Sequence, residues 1–118
     1  MVPRIGIISC QKIKDITCVS CLKCFKAIAL RQGEFARYDD IEVVFMGDCG
    51  GCPGLIMPKM GLIMDMVRAY ERDVDVVHLG TCVMKARETA QCPLDPEAAR
   101  NRIKAKFGKE VVLGTHPW

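Results

Sequence analysis

Four short apolar runs, Arg4–Ser9, Ile41–Met46, Val74–Leu79 and Val111–Leu113, are spaced along the chain with helix-compatible stretches between them. That spacing constrains the fold more than any other feature. The runs are continuous rather than alternating, as expected for strands buried on both faces, and the intervening segments are long enough for crossover helices. Leu22, Phe25, Ile28 and Ala29 recur at helical spacing between about Cys18 and Arg31, and Gly33 ends the pattern. Met60, Ile63, Met64 and Val67 mark a second helix from about Pro58 to Arg72, and Met84–Ala90 suits a short helical turn. Asp95 followed by Pro96 is a helix start, Ala99, Ile103 and Phe107 supply an apolar face, and Gly108 is a stop. The alternation predicts an α/β fold: one three-layer domain spanning residues 1–118, with helices on both faces of a four-stranded parallel sheet. With right-handed crossovers the expected strand order is 2-1-3-4.

Within that frame the cysteines are the outlier, at 8 in 118 residues. The opening residues lack the pattern of an export signal and no run approaches a membrane span, so a cytoplasmic protein is expected. In such a protein this thiol density points to metal binding or redox chemistry ahead of a disulfide framework, although hyperthermophile proteins can be disulfide-rich. The charge balance of 17 basic to 14 acidic residues contains no basic block, and aromatics are 6%. Neither nucleic-acid binding nor base stacking is suggested, and no protein partner is indicated. The chain carries no Walker loop and no GxGxxG. A phosphatase loop would need an arginine six positions after a cysteine, whereas Cys82 has Arg87 five positions on.

Cys10, Cys49 and Cys82 each fall just past a strand end, and His116 follows the fourth. In a parallel sheet those ends share one edge, where open α/β sheets bind their ligands. The turn Asp48-Cys49-Gly50-Gly51-Cys52-Pro53-Gly54 places two thiols three positions apart between a strand and a helix. A helix N-terminus there would favour thiolate, which is both the metal-binding and the nucleophilic form. Asp48 is a candidate to accept hydrogen bonds beside the site or to cap the turn. A second cluster, Cys18, Cys21 and Cys24, has the first two spacings of a ferredoxin-type run without its fourth cysteine. Cys52-Pro53 or Cys92-Pro93 could supply a fourth ligand, and the same spacing suits tetrahedral zinc with partners from elsewhere. Cysteines packed on a buried helix face are the structural alternative. His78, inside an apolar run, is a weaker candidate that suits a core histidine equally well. The methionines Met57, Met60, Met64 and Met66 suit an adaptable core better than a soft-metal site.

These motifs resemble the CGGC-domain family, small bacterial and archaeal domains with a central Cys-Gly-Gly-Cys, here Cys49-Gly50-Gly51-Cys52. Ile7-Ile8-Ser9-Cys10, Thr17-Cys18, Cys24-Phe25-Lys26-Ala27 and Gly33-Glu34-Phe35 support the resemblance, as do His78-Leu79-Gly80-Thr81-Cys82, Cys92-Pro93 and Gly114-Thr115-His116. The resemblance implies a metal-binding domain, with zinc suggested by the cysteines and histidines, and no established reaction. By position it carries Cys10, Cys18, Cys24, Cys49, Cys52, His78, Cys82, Cys92 and His116, leaving Cys21 unmatched. The expected function is binding of a metal ion or cluster, zinc or iron–sulfur, by Cys10, Cys18, Cys21, Cys24, Cys49, Cys52, Cys82, Cys92 and His116. The alternative is a thiol–disulfide oxidoreductase using Cys49 and Cys52, and the sequence does not say whether the protein is an enzyme.

Overall fold

The computed structural model describes residues 2–10, 13, 19–50 and 55–116. Strands β1 (Arg4–Ser9), β2 (Glu42–Asp48), β3 (Val76–Leu79) and β4 (Glu110–Leu113) form one sheet in the order β2-β1-β3-β4. Every pairing is parallel. The helices are α1 (Leu22–Leu30), α2 (Ile56–Ala69), α3 (Thr81–Thr89) and α4 (Pro96–Phe107), with 3-10 turns at Val19–Cys21 and Gly33–Arg37. Fold class and strand order are those expected from the apolar runs. The expected short turn near Met84 is a full nine-residue helix that begins directly after Gly80. Among the described residues no helix is long and apolar enough to cross a membrane.

Alternation along the strands divides the core into two layers, because successive side chains point to opposite faces. Ile8, Val77, Leu79 and Val111 meet Ile56, Met60, Met64 and Val67 of α2 and Ala99 and Ile103 of α4. On the other face Ile5, Ile7, Val76 and Val112 pack with Ala27 of α1 and Phe35. Asp95 caps α4 by accepting from the backbone N–H groups of Glu97 and Ala98, and Gly108 ends it in the left-handed region at φ 67°. Both features follow the sequence signals.

Helix α1 differs from expectation in the face it buries. Cys21, Cys24 and Ala27 point inward, whereas Leu22 and Phe25 are exposed. The chain enters the helix through Ser20 and Cys21 in the left-handed region, which sets the rotation of all that follows. Thiols and a methyl are small, so this face also lets the helix lie close to the sheet. Cysteine behaves here as a buried small hydrophobe.

Register in β2 shifts by one residue, since Ile5 pairs with Val43 and Gly6 with Phe45. Val44 is therefore a β-bulge residue, and Val44 and Phe45 both pack toward the α2 layer. The Phe45 ring then lies over Gly6, where a Cβ would come within 1.9 Å of it.

Candidate metal centre

Strand ends bring thiols together at the C-terminal edge of the sheet. Cys10 follows β1 directly and Cys82 is the second residue of α3, entered from β3 through Gly80. The Cys10 backbone N–H donates to the Cys82 Sγ at 3.1 Å, a contact buried from solvent. Gly80 makes this approach possible, because a Cβ there would stand 3.0 Å from the Ile8 carbonyl oxygen and 3.1 Å from the Cys82 Sγ. Cys10 and Cys82 pack in one cluster with Ile13, Val83 and Ala86, and Cys92 lies against it. The loop holding Cys92 is tied back to α3 by its N–H, which donates to the Ala86 carbonyl at 3.1 Å.

Cys49 joins from the end of β2. Burial pushes its thiol pKa up, and negative charge on Cys92 or Cys10 would push it further, so the three sulfurs lie within electrostatic reach of one another. The helix-assisted thiolate expected from the sequence is not what the structure has at Cys49. Helix α2 begins at Ile56, and although the turn comes close to its start at Gly50, where a Cβ would stand 3.2 Å from the Leu55 N, burial outweighs any help the helix gives the Cys49 thiolate. Asp48 caps the turn: its Oδ1 accepts from the Gly50 N–H at 2.8 Å and from the Lys59 Nζ at 3.3 Å. Gly50 adopts φ 96°, a conformation open to glycine. Cys18 and Cys52 lie outside the described residues, as do Gly51, Pro53 and Gly54.

Cys24, from the second cluster, meets a hydroxyl pair. Cys24 donates through its Sγ to the Thr115 Oγ1 at 3.3 Å. Thr115 Oγ1 also accepts from the Thr81 N–H at 3.1 Å, while the Thr115 N–H donates to the Thr81 Oγ1 at 3.0 Å. The Thr81 hydroxyl donates onward to the His116 carbonyl at 2.7 Å. These reciprocal bonds fix the start of α3 to the segment after β4, with the Cys24 thiol against Thr115; Cys21 is buried one turn earlier. Sequence reasoning gave the threonines no role. The signal was present, since Gly80-Thr81 and Gly114-Thr115 repeat the same dipeptide at two adjacent strand ends.

His116 is buried at this edge, held through its backbone. His78 lies elsewhere, fully buried beside Phe35, with ring centroids 4.9 Å apart. Its Nδ1 is 2.9 Å from the Gly114 carbonyl and its Nε2 is 2.7 Å from the Tyr38 hydroxyl. A carbonyl only accepts, so Nδ1 carries the proton and Nε2 accepts from Tyr38. Both nitrogens are engaged, the arrangement of a satisfied core histidine. Among the described residues no group of three or more histidine, cysteine, aspartate or glutamate side chains is already arranged to hold a metal ion.

Burial lowers the His78 pKa, so the unfolded chain takes up this proton more readily than the folded one. The linked stability is complete above the unfolded value of about 6.5 and is lost as pH falls from there toward the depressed folded value. Thermal unfolding should therefore occur at lower temperature at pH 5.5 than at pH 7.5. A His78→Gln variant should flatten this part of the profile, and an equal slope in both proteins would assign the effect to other groups.

The model of the CGGC domain matches residues 4–116. An uncharacterized protein of Methanocaldococcus jannaschii, MJ0582, is 31% identical over 117 residues, covering 96% of this chain and 86% of that protein. No solved structure matches the chain. A match that runs from the first residue of β1 to the buried His116, and takes in both the Cys-Gly-Gly-Cys turn and the strand-end cysteines, places this chain in the CGGC-domain family.

Proposed function

We propose that the protein binds a soft metal centre, zinc or an iron–sulfur cluster, between Cys10, Cys49, Cys82 and Cys92, with Cys52 completing the site from the central turn. The observation that carries this reading is the convergence of four cysteines from four separate segments. Thiolate donors select zinc or iron–sulfur over magnesium or calcium. Negative charge on Cys92 or Cys10 raises the cost of ionising Cys49, and a cation held among the sulfurs would remove that cost. The donor set fits such a group in its chemistry, and metal binding would draw the sulfurs into coordination. A soft-metal site built from thiols also suits a reducing compartment such as the cytoplasm.

A dithiol oxidoreductase built on Cys49 and Cys52 is less well supported. Exchange needs an accessible thiol of lowered pKa, whereas Cys49 is half-buried with its pKa raised.

The test is anaerobic purification followed by elemental analysis and an absorption spectrum. Stoichiometric zinc in a colourless sample, or iron and sulfide with absorbance near about 400 nm, is the expected outcome. Metal-free protein whose Cys49 and Cys52 cycle between dithiol and disulfide would overturn the proposal.

A further inference from the structure

Helix α2 carries two apolar stripes. Ile56, Met60, Met64 and Val67 face the core. Leu62, Met66 and Tyr70, spaced four residues apart across the helix and its C-terminal cap, are 67%, 54% and 71% exposed. An open groove of about 670 Å³ lies between this second stripe and Val44 and Phe45 of β2. β2 is the outermost strand on that side, so its far edge meets no other strand among the described residues. Natural edge strands are commonly blunted by lysine, proline or inward-pointing charge. The run Glu-Val-Val-Phe-Met-Gly-Asp has charge only at its two ends, and the bulge adds twist without covering the edge.

We propose that this face is the interface between two copies of the chain. The two β2 strands would pair antiparallel about a two-fold axis near Phe45, and the exposed α2 stripes would pack across the same axis. A two-fold axis perpendicular to the sheet puts both α2 helices on one side of a continuous eight-stranded sheet, so strand pairing and helix packing occur together.

Charge placement favours a second copy over an unrelated partner. At the start of β2, Glu42 pairs with Arg72, and at its end Asp48 pairs with Lys59. Antiparallel pairing sets the start of one strand opposite the end of the other. Glu42 of one copy then stands opposite Asp48 of the other, and Arg72 and the second copy's Lys59, which those acids already hold, lie beside both and offset their repulsion. Two acids and two bases per copy leave the surface balanced, whereas a single-sign edge would repel itself.

The test is sedimentation equilibrium of the reduced full chain between about 5 and 100 μM, a range in which weak homodimers become visible. The expected mass is twice the 13.1 kDa of one chain. Leu62→Glu and Met66→Glu change exposed side chains and should leave the circular dichroism spectrum intact. Each should weaken association at least about 10-fold, as loss of a central apolar anchor does. A wild-type monomer across the whole range would overturn the proposal and leave the face to a different protein. So would a dimer whose dissociation constant is unchanged in both variants.

Discussion

With the metal held as proposed, a Cys82→Ser protein should lose it, with affinity falling by more than the roughly 10–100-fold that removal of an outer-shell partner costs. Cys82 is the residue to change because it ties two strand ends together through the Cys10 N–H and sits at the first turn of α3, where backbone N–H groups favour negative sulfur. Serine keeps the size of the side chain while replacing a soft donor with a hard, reluctantly ionised one. Cys82→Ala serves as a second variant, since the pocket around it is apolar and a buried hydroxyl alone could disturb folding. Both should match the metal-free wild type in far-ultraviolet circular dichroism. Cys24→Ser provides the contrast. Its thiol bonds to Thr115, behind the threonine pair, so most of the metal should remain. Full metal content in both Cys82 variants would sink the proposed site, and equal loss in Cys24→Ser would mean that the two clusters act together.

The proposed site also shows how much of this molecule could be read from its sequence. Strand positions were legible because a parallel sheet buried on both faces needs continuous apolar runs. Their order followed from crossover handedness, so the shared edge for Cys10, Cys49 and Cys82 could be inferred without coordinates. Element ends marked by strong local chemistry, such as Asp95-Pro96 and Gly108, were legible for the same reason: each satisfies or breaks a helix by itself.

What escaped depended on tertiary contact. The face of α1 was misread because Leu22 and Phe25 outrank cysteine in hydrophobicity. The entry through left-handed Ser20 and Cys21, invisible to periodicity, turns the thiols inward instead. Cys49 was expected to be a helix-favoured thiolate from the spacing of strand and helix patterns, yet its burial, which no local pattern reveals, pushes its pKa up instead. Thr81 and Thr115 matter only as a pair that sequence separates by 34 positions. The bulge at Val44 has no local signature either, and it determines what must stand opposite.

Gly6→Ala should therefore be among the most destabilising small substitutions in the chain. The added methyl would meet the Phe45 ring at 1.9 and 2.2 Å, well inside van der Waals contact. Relief by backbone movement is blocked, because β1 pairs with β2 on one side and β3 on the other. Relief by ring movement must push Phe45 out of its place against the α2 layer, giving up apolar burial. Overpacking of this kind costs about 1–3 kcal/mol, which for a domain of this size lowers the unfolding midpoint by roughly 4–15 °C. The bulge makes the prediction specific, since it is the extra residue in β2 that carries the ring over Gly6. A Gly6→Ala/Phe45→Ala double variant should accordingly be more stable than the sum of its parts by at least about 1 kcal/mol. Thermal melts of the four proteins in the cycle provide the measurement. Strict additivity, or a Gly6→Ala midpoint within a degree or two of wild type, would show that the ring does not pack over Gly6.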